Sequence, residues 1–415
     1  MPRLPFAIRA LNRAGAALNA VGLELPRIQE ADLLKEASKQ TGLSDFGDDL
    51  FREGLGRLLT ALEEDDADLS TLGRLMAKDS IVHDLMGRLE MVDCRKRNPE
   101  IDQEEVNPPV FIFGLPRTGT TVLQNLLAQD PRHRVPLGWE VIYPSPPPET
   151  ETYLSDPRIE KARARYAQVD KLAPGLQVIH PIGAQLPEEC STITAREFQS
   201  RNYDYVFDVP SYYHWFVNRS QVDVYEAHRR YLQHLQFRAK KERWLLKAPQ
   251  HLAFIADLFR VYPDAEVIFT HRAPTEVMSS MSSLIYQMRF LTQRSVDPAR
   301  VGREQLDRWG WALDRSLGAR DEMPDKADQI VDLRFNDLIQ DPLAAVAGIY
   351  ERFGWPIDEG VRHRMRTFLD DNPRGKHGTH RYTLDMFGLS PDEVNERMAS
   401  YADRFDLRSQ STPPG

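Results

Sequence analysis

Cysteine is nearly absent: the chain has 415 residues and only two cysteines, Cys94 and Cys190, far apart in sequence. That scarcity excludes a disulfide framework and a CxxC metal site, and it predicts a reducing, cytoplasmic compartment. No apolar run reaches the ~18 residues a membrane-spanning helix needs, so no transmembrane segment is expected. Excess positive charge is missing as well. With 53 Lys and Arg against 62 Asp and Glu the net charge is −9, which argues against a nucleic-acid partner, because such surfaces need clustered Lys and Arg. Internal repeats are also lacking.

What is present is the composition of a globular protein able to bury a large core, 41% hydrophobic and 28% charged. The first 23 residues carry Arg3, Arg9 and Arg13 and no acid. Phe6, Ala10, Ala14 and Ala17 or Leu18 recur at helical spacing. The segment reads as a helix packed on its own domain or on a partner subunit, so a homo-oligomer is compatible with it. The alternative is a basic amphipathic segment lying on a membrane. From Ile28 to Asn107 apolar residues recur every three to four positions, with stops at Gly42, the acidic run Glu63–Asp68 and Pro99. This predicts an N-terminal helical subdomain, 1–107, followed by an α/β domain, 108–415.

The stretch Val110 to Ala128, VFIFGLPRTGTTVLQNLLA, organises that second domain. Val110 to Phe113 fit a buried strand of a parallel sheet, and Gly119 to Ala128 fit a helix. A glycine-bracketed strand-to-helix turn aims backbone N–H groups and the positive end of the helix dipole at one point, where anions bind. The spacing of Gly114 and Gly119 matches a nucleoside-triphosphate loop, GxxxxGK[ST], but Thr120 stands where that loop has its Lys. The loop's cation is instead Arg117. A single-phosphate cradle without a triphosphate and metal device is the consequence.

Further strand-to-helix units follow: RWLLKAP with HLAFIADLFRVYP, AEVIFTHR with PTEVMSSMSSLIYQMR, and QIVDLRF with NDLIQDPLAAVAGIYERFG. Strands alternating with helices predict a parallel sheet covered on both faces, with ligands at the carboxyl ends of its strands. Arg117, Lys247 and Arg272 all fall at such ends. Between these units, Tyr153 to Lys171, Val222 to Arg238 and Gly302 to Glu322 read as helices, and Val135 to Pro148 as irregular. From Leu172 to Trp215 the periodicity loosens while seven aromatics crowd into the 14 residues Tyr203–Phe216. They suit equally the lining of an apolar acceptor pocket and core filling under a long loop.

Arg117, Thr118, Gly119, Thr120 and Thr121 resemble the 5′-phosphosulfate loop, [K/R]-[S/T]-G-T-T, of sulfotransferases that use 3′-phosphoadenosine 5′-phosphosulfate, and in particular their bacterial branch with Arg in the loop. The resemblance runs from about Val110 to Arg404. It implies a P-loop-like α/β fold and metal-independent sulfuryl transfer to a small-molecule acceptor bearing a hydroxyl or amine. It assigns the 3′-phosphate to Arg272 and Ser280, eight residues apart, and places Lys247 near the bridging oxygen of the donor. For the base it offers Glu140, 23 residues after Arg117, in the position of the catalytic Glu of protein-tyrosine and glycosaminoglycan sulfotransferases. The cytosolic branch uses a His in a K-T-H motif instead; Lys247 and His251 are the nearest match, although His251 follows by four residues rather than two. Glu140 is the preferred base. Arg374 and Lys376 stand near where the cytosolic enzymes carry an R-K-G nucleotide motif. Two other classes remain open on the residues alone: a nucleotide or small-molecule kinase with a degenerate loop, and a non-catalytic nucleotide-binding protein.

Overall fold

The computed structural model describes residues 4–20, 25–172, 181–373 and 382–407. They group into two compact units. One comprises Met1–Val106, Pro136–Lys240 and Ile285–Val296; the other comprises Asn107–Val135, Lys241–Leu284 and Asp297–Gly415.

The first unit is helical. Its spine is the helix Thr71–Arg97, started by Ser70, whose Oγ accepts from the Gly73 N–H at 3.1 Å. Gly73 is required there for space, since a Cβ would lie 1.9 Å from the carbonyl oxygen of Thr292. The spine carries charge into the interior. Arg88 donates from Nη1 to both carboxylate oxygens of Glu197, each at 2.6 Å, and Arg196 pairs with Asp84 at 3.1 Å. Planar guanidiniums suit such buried pairs because they offer several charge-assisted donors to a carboxylate.

Within the described part of the loosened region the chain forms short helices, Cys190–Thr194, Arg201–Val206 and Pro210–Val217. Most of its aromatics fill the core. Tyr203, Phe207, Tyr212, Tyr213 and Phe216 are buried, while Tyr205 and Trp215 are half-buried; the hydroxyl of Tyr203 donates to Asp84 at 2.8 Å and that of Tyr212 to the Phe198 carbonyl at 2.8 Å. Period detection fails here because each helix is too short to repeat a face. The helix expected from Tyr153 begins only at Arg158. Asp156 Oδ1 accepts the Arg158 N–H at 2.9 Å, so the Asp-Pro pair starts the helix and the residues before it form turns. Within Val135–Pro148, expected to be irregular, Gly138–Ile142 is a short helix.

The second unit holds a five-stranded sheet: β1 (Val110–Gly114), β2 (His133–Arg134), β3 (Arg243–Lys247), β4 (Glu266–His271) and β5 (Ile330–Arg334), in the order β2-β3-β1-β4-β5. Every pairing is parallel. The central strand β1 is buried throughout, and its alternation sorts two cores. Val110 and Ile112 pack with Leu123, Leu127 and Leu338 on one side. On the other, Phe111 and Phe113 meet Tyr262 and Phe269. The segment after β5 is two helices rather than one, Phe335–Gln340 and Pro342–Arg352, because Asp341 caps the second, accepting from the Ala344 N–H at 3.0 Å, and Pro342 opens it. The chain is therefore an α/β protein with a parallel sheet flanked by helices. Among the described residues no helix is long and apolar enough to cross a membrane.

Candidate active site

All five strands run the same way, so β1, β3 and β4 deliver their C-terminal residues to one edge of the sheet. Beyond β1 the chain turns through Leu115–Gly119 into the helix Thr120–Leu127. The turn is tight. Gly114 passes so close to β4 that a Cβ would lie 2.3 Å from the Thr270 carbonyl oxygen, and Gly119 takes φ +86°, which favours glycine. Arg117 adopts φ 67° without being glycine. Backbone held in that region by a residue with a side chain is strained, and such strain gathers at functional loops.

Thr118 holds the turn from inside. Fully buried, its hydroxyl donates to the Leu115 carbonyl oxygen at 2.7 Å and shares a 2.6 Å bond with the Thr270 hydroxyl. Thr121 is partly exposed and meets Lys247, the last residue of β3, at 3.5 Å between Oγ1 and Nζ. Lys247 is almost wholly buried. Arg272 follows β4 directly. It donates from Nη1 to the Arg117 carbonyl oxygen at 2.9 Å and from Nε to Glu276 at 2.8 Å, and its guanidinium lies 4.1 Å from the Phe335 ring centre. Ser280 bonds not to Arg272 but to Arg117, Nε to Oγ at 3.2 Å.

The three cations expected to converge are thus brought together, with Thr121 and Ser280 among them. Burial and the neighbouring charge of Arg272 both lower the Arg117 pKa from its ordinary value. Guanidiniums crowded at a helix N-terminus are the electrostatics of an anion site.

Several supporting groups carried no readable signal. His271, just before Arg272, is buried and stacked 3.7 Å from Phe405, with Nε2 at 2.9 Å from Asp332. Burial opposes the Asp332 charge, yet hydrogen bonds from Arg320 and His271 outweigh it and hold that carboxyl well below the usual range. This cluster fixes the end of β4. The Tyr401 hydroxyl accepts from the Arg272 N–H at 3.3 Å, a contact across 129 residues that no local pattern announces. Phe335 was findable, since it follows β5 and must lie at the same sheet edge.

His251 is 0% exposed, in the turn Pro249–Phe254 after Lys247, with its ring edge-on to Phe111 at 5.0 Å. Glu140 belongs to the helical unit. It is also 0% exposed, in the first turn of Gly138–Ile142, and its Oε1 accepts from the Leu137 N–H at 2.9 Å and the Tyr153 hydroxyl at 2.8 Å. The other end of that helix is held by Arg196, which donates to the Val141 and Ile142 carbonyls at 3.0 and 2.9 Å, and by the Tyr231 hydroxyl on Val141 at 2.7 Å. Arg374 and Lys376 lie outside the described residues.

Residues 108–359 match the family model described as the sulfotransferase family. The chain belongs to the sulfotransferase family. Among proteins similar to this sulfotransferase is the omega-hydroxy-beta-dihydromenaquinone-9 sulfotransferase Stf3 of Mycobacterium bovis, 28% identical over 326 residues, 74% of this chain and 77% of that protein. The crystal structure of sulfotransferase STF1 from Mycobacterium tuberculosis H37Rv is 34% identical, with a TM-score of 0.81 over 90% of this chain and 99% of that one. Sulfotransferase STF9 from Mycobacterium avium is 28% identical, with a TM-score of 0.85 over 94% and 100%.

Proposed function

We propose that this sulfotransferase moves the sulfuryl group of 3′-phosphoadenosine 5′-phosphosulfate to a hydroxyl of a small molecule. The observation that carries the reading is the gathering of Arg117, Lys247 and Arg272 around a strained loop at a helix N-terminus. The donor set there is guanidinium, ammonium and hydroxyl. Such groups complement phosphate and sulfate oxygens, and the guanidinium and ammonium have no lone pair to give a metal.

In this reading the loop and Arg117 hold the 5′-phosphosulfate, with Arg272 on the 3′-phosphate. Ser280, bonded to Arg117, orients that arginine between the two. The acceptor oxygen attacks sulfur; the new S–O bond forms as the bond to the 5′-phosphate oxygen breaks, and adenosine 3′,5′-bisphosphate leaves. Negative charge develops on that leaving oxygen, where Lys247 and Arg117 neutralise it. Glu140 takes the acceptor proton. Tyr153 and the Leu137 N–H orient its carboxylate, and the ring of His251 packs edge-on against Phe111, which favours Glu140. A hydroxyl is favoured over an amine as acceptor because Stf3 is named for an omega-hydroxy compound. Incubation with labelled donor and a panel of alcohols, phenols and amines tests the proposal. Label transfer to a hydroxyl without added metal is expected; transfer to none of them, with the donor bound, would leave the non-catalytic reading standing.

A further inference from the structure

The N-terminal helix, Phe6–Asn19, packs on the spine helix through one narrow face. Gly15 is buried against Thr71, Asn12 accepts from the Leu72 N–H at 3.0 Å, and Ile8 is partly covered. The rest of the helix faces outward, and much of it is apolar. Phe6 is 77% exposed, Leu18 40% and Leu11 37%, with Ala10, Ala14 and Ala17 exposed beside them. By helical geometry Ala10, Ala17 and Phe6 lie opposite the packed face, Arg9 and Arg13 border one side of that stripe, and Leu11 and Leu18 border the other.

Its charge is equally one-sided. Residues 4–20 contain Arg9 and Arg13 and no acid, within a chain of net charge −9. Among the described residues neither arginine is paired with a carboxylate, and Arg9 lies 6.0 Å from the Phe6 ring centre. Beside the helix a groove of about 360 Å³ is lined by Leu4, Arg13, Tyr286, Phe290, Arg294 and Val296. Arg294 is tied to Asp68 at 3.0 Å. The groove extends the same combination of apolar wall and guanidinium across the neighbouring segment.

We infer that this face docks the enzyme on the surface of an anionic phospholipid bilayer. Phe6, Leu11 and Leu18 enter the boundary between headgroups and acyl chains, while Arg9 and Arg13 reach the phosphates from the rim. A second copy of the chain fits less well. In a two-fold interface the same patch meets itself, which would bring unpaired arginines against one another with no acid to neutralise them.

Co-sedimentation of the full chain with vesicles tests the inference. Binding is expected to vesicles of phosphatidylcholine and phosphatidylglycerol in equal parts, at least about tenfold tighter than to phosphatidylcholine alone, and weakened by salt. Arg9→Gln combined with Arg13→Gln should lose about twenty-five-fold, on the basis of about fivefold per arginine. Phe6→Asp combined with Leu18→Asp should also release the protein, and both residues are exposed enough for folding to be kept, as thermal unfolding checks. Sulfuryl transfer to a water-soluble acceptor should be unchanged in all these variants, which separates this surface from the catalytic reading. Failure to bind the mixed vesicles, binding untouched by the four substitutions, or a vesicle-free dimer that Phe6→Asp dissociates would each overturn it.

Discussion

The guanidinium of Arg272 donates to the carbonyl oxygen of Arg117 at 2.9 Å, so the cation after β4 is fastened to the backbone of the loop after β1. A residue assigned to one phosphate therefore also shapes the cradle for the other. Arg272→Ala should lower affinity for adenosine 3′,5′-bisphosphate about ten- to a hundredfold, from the loss of charge-assisted bonds. Affinity for adenosine 5′-phosphosulfate should also fall, but by less, because only the loop tie is lost. Calorimetric titration of both nucleotides checks this, and an unchanged bisphosphate affinity would remove Arg272 from the site.

At Arg117 conformation and chemistry can be separated. Glycine adopts φ 67° freely, so Arg117→Gly relieves backbone strain while adding unfolded-state freedom, and stability should stay within about 1 kcal/mol of wild type. Turnover should nevertheless fall about a hundredfold or more, since the charge facing the leaving group is gone. Denaturant melts alongside labelled-donor kinetics make the comparison.

The framework of this site was readable because its signals are local. VFIFG, WLLK and VIFTH are apolar runs too short for helices, each ends at a turn, and a parallel sheet forces their last residues to one edge. Arg117, Lys247 and Arg272 follow from that geometry alone. Which partner each cation takes was not readable. The resemblance assigns Ser280 and Arg272 to one phosphate; in the structure Ser280 lies about two turns into the helix Pro274–Thr292, and its Oγ accepts from Arg117 Nε. The contact from Tyr401 and the turned-in hydroxyl of Thr118 depend on packing between distant segments, which no window of sequence contains. The aromatics at 203–216 show the same limit: their density was plain, and only the structure decides that five of the seven are core.

Glu140→Gln tests the base. The amide oxygen can still accept from the Leu137 N–H and the Tyr153 hydroxyl, so thermal stability should barely move. Turnover at saturating donor should drop about 10²- to 10⁴-fold. His251→Ala, by contrast, opens a cavity against Phe111 and should cost roughly 2–4 kcal/mol of stability, while the folded fraction keeps most of its turnover. The opposite pattern would transfer the role of base to His251.

Two buried histidines predict an acid limb. Burial pushes His228 and His234 down to about 3, and the His234 Nε2–H donates to the Pro144 carbonyl oxygen at 3.1 Å. Their folded pKa lies below the unfolded value of 6.5, so the unfolded chain takes up protons first as pH falls. The stability they contribute is fully present above about 6.5 and is lost progressively toward pH 3, at about 2 kcal/mol per histidine by pH 5. Urea unfolding at pH 7 and pH 5 should show that loss, and His228→Gln should flatten it.

In the proposed reading the loop and its cations form an anion cradle for a 3′-phosphorylated adenine nucleotide that works without a metal. Calorimetric titration of the purified chain with adenosine 3′,5′-bisphosphate in the presence of a chelator tests it most directly, with ATP and magnesium as the comparison. Saturable bisphosphate binding in the chelator is expected, abolished together by Arg117→Ala and Arg272→Ala, with much weaker binding of ATP. Tight magnesium-dependent ATP binding, with none of the bisphosphate, would contradict it.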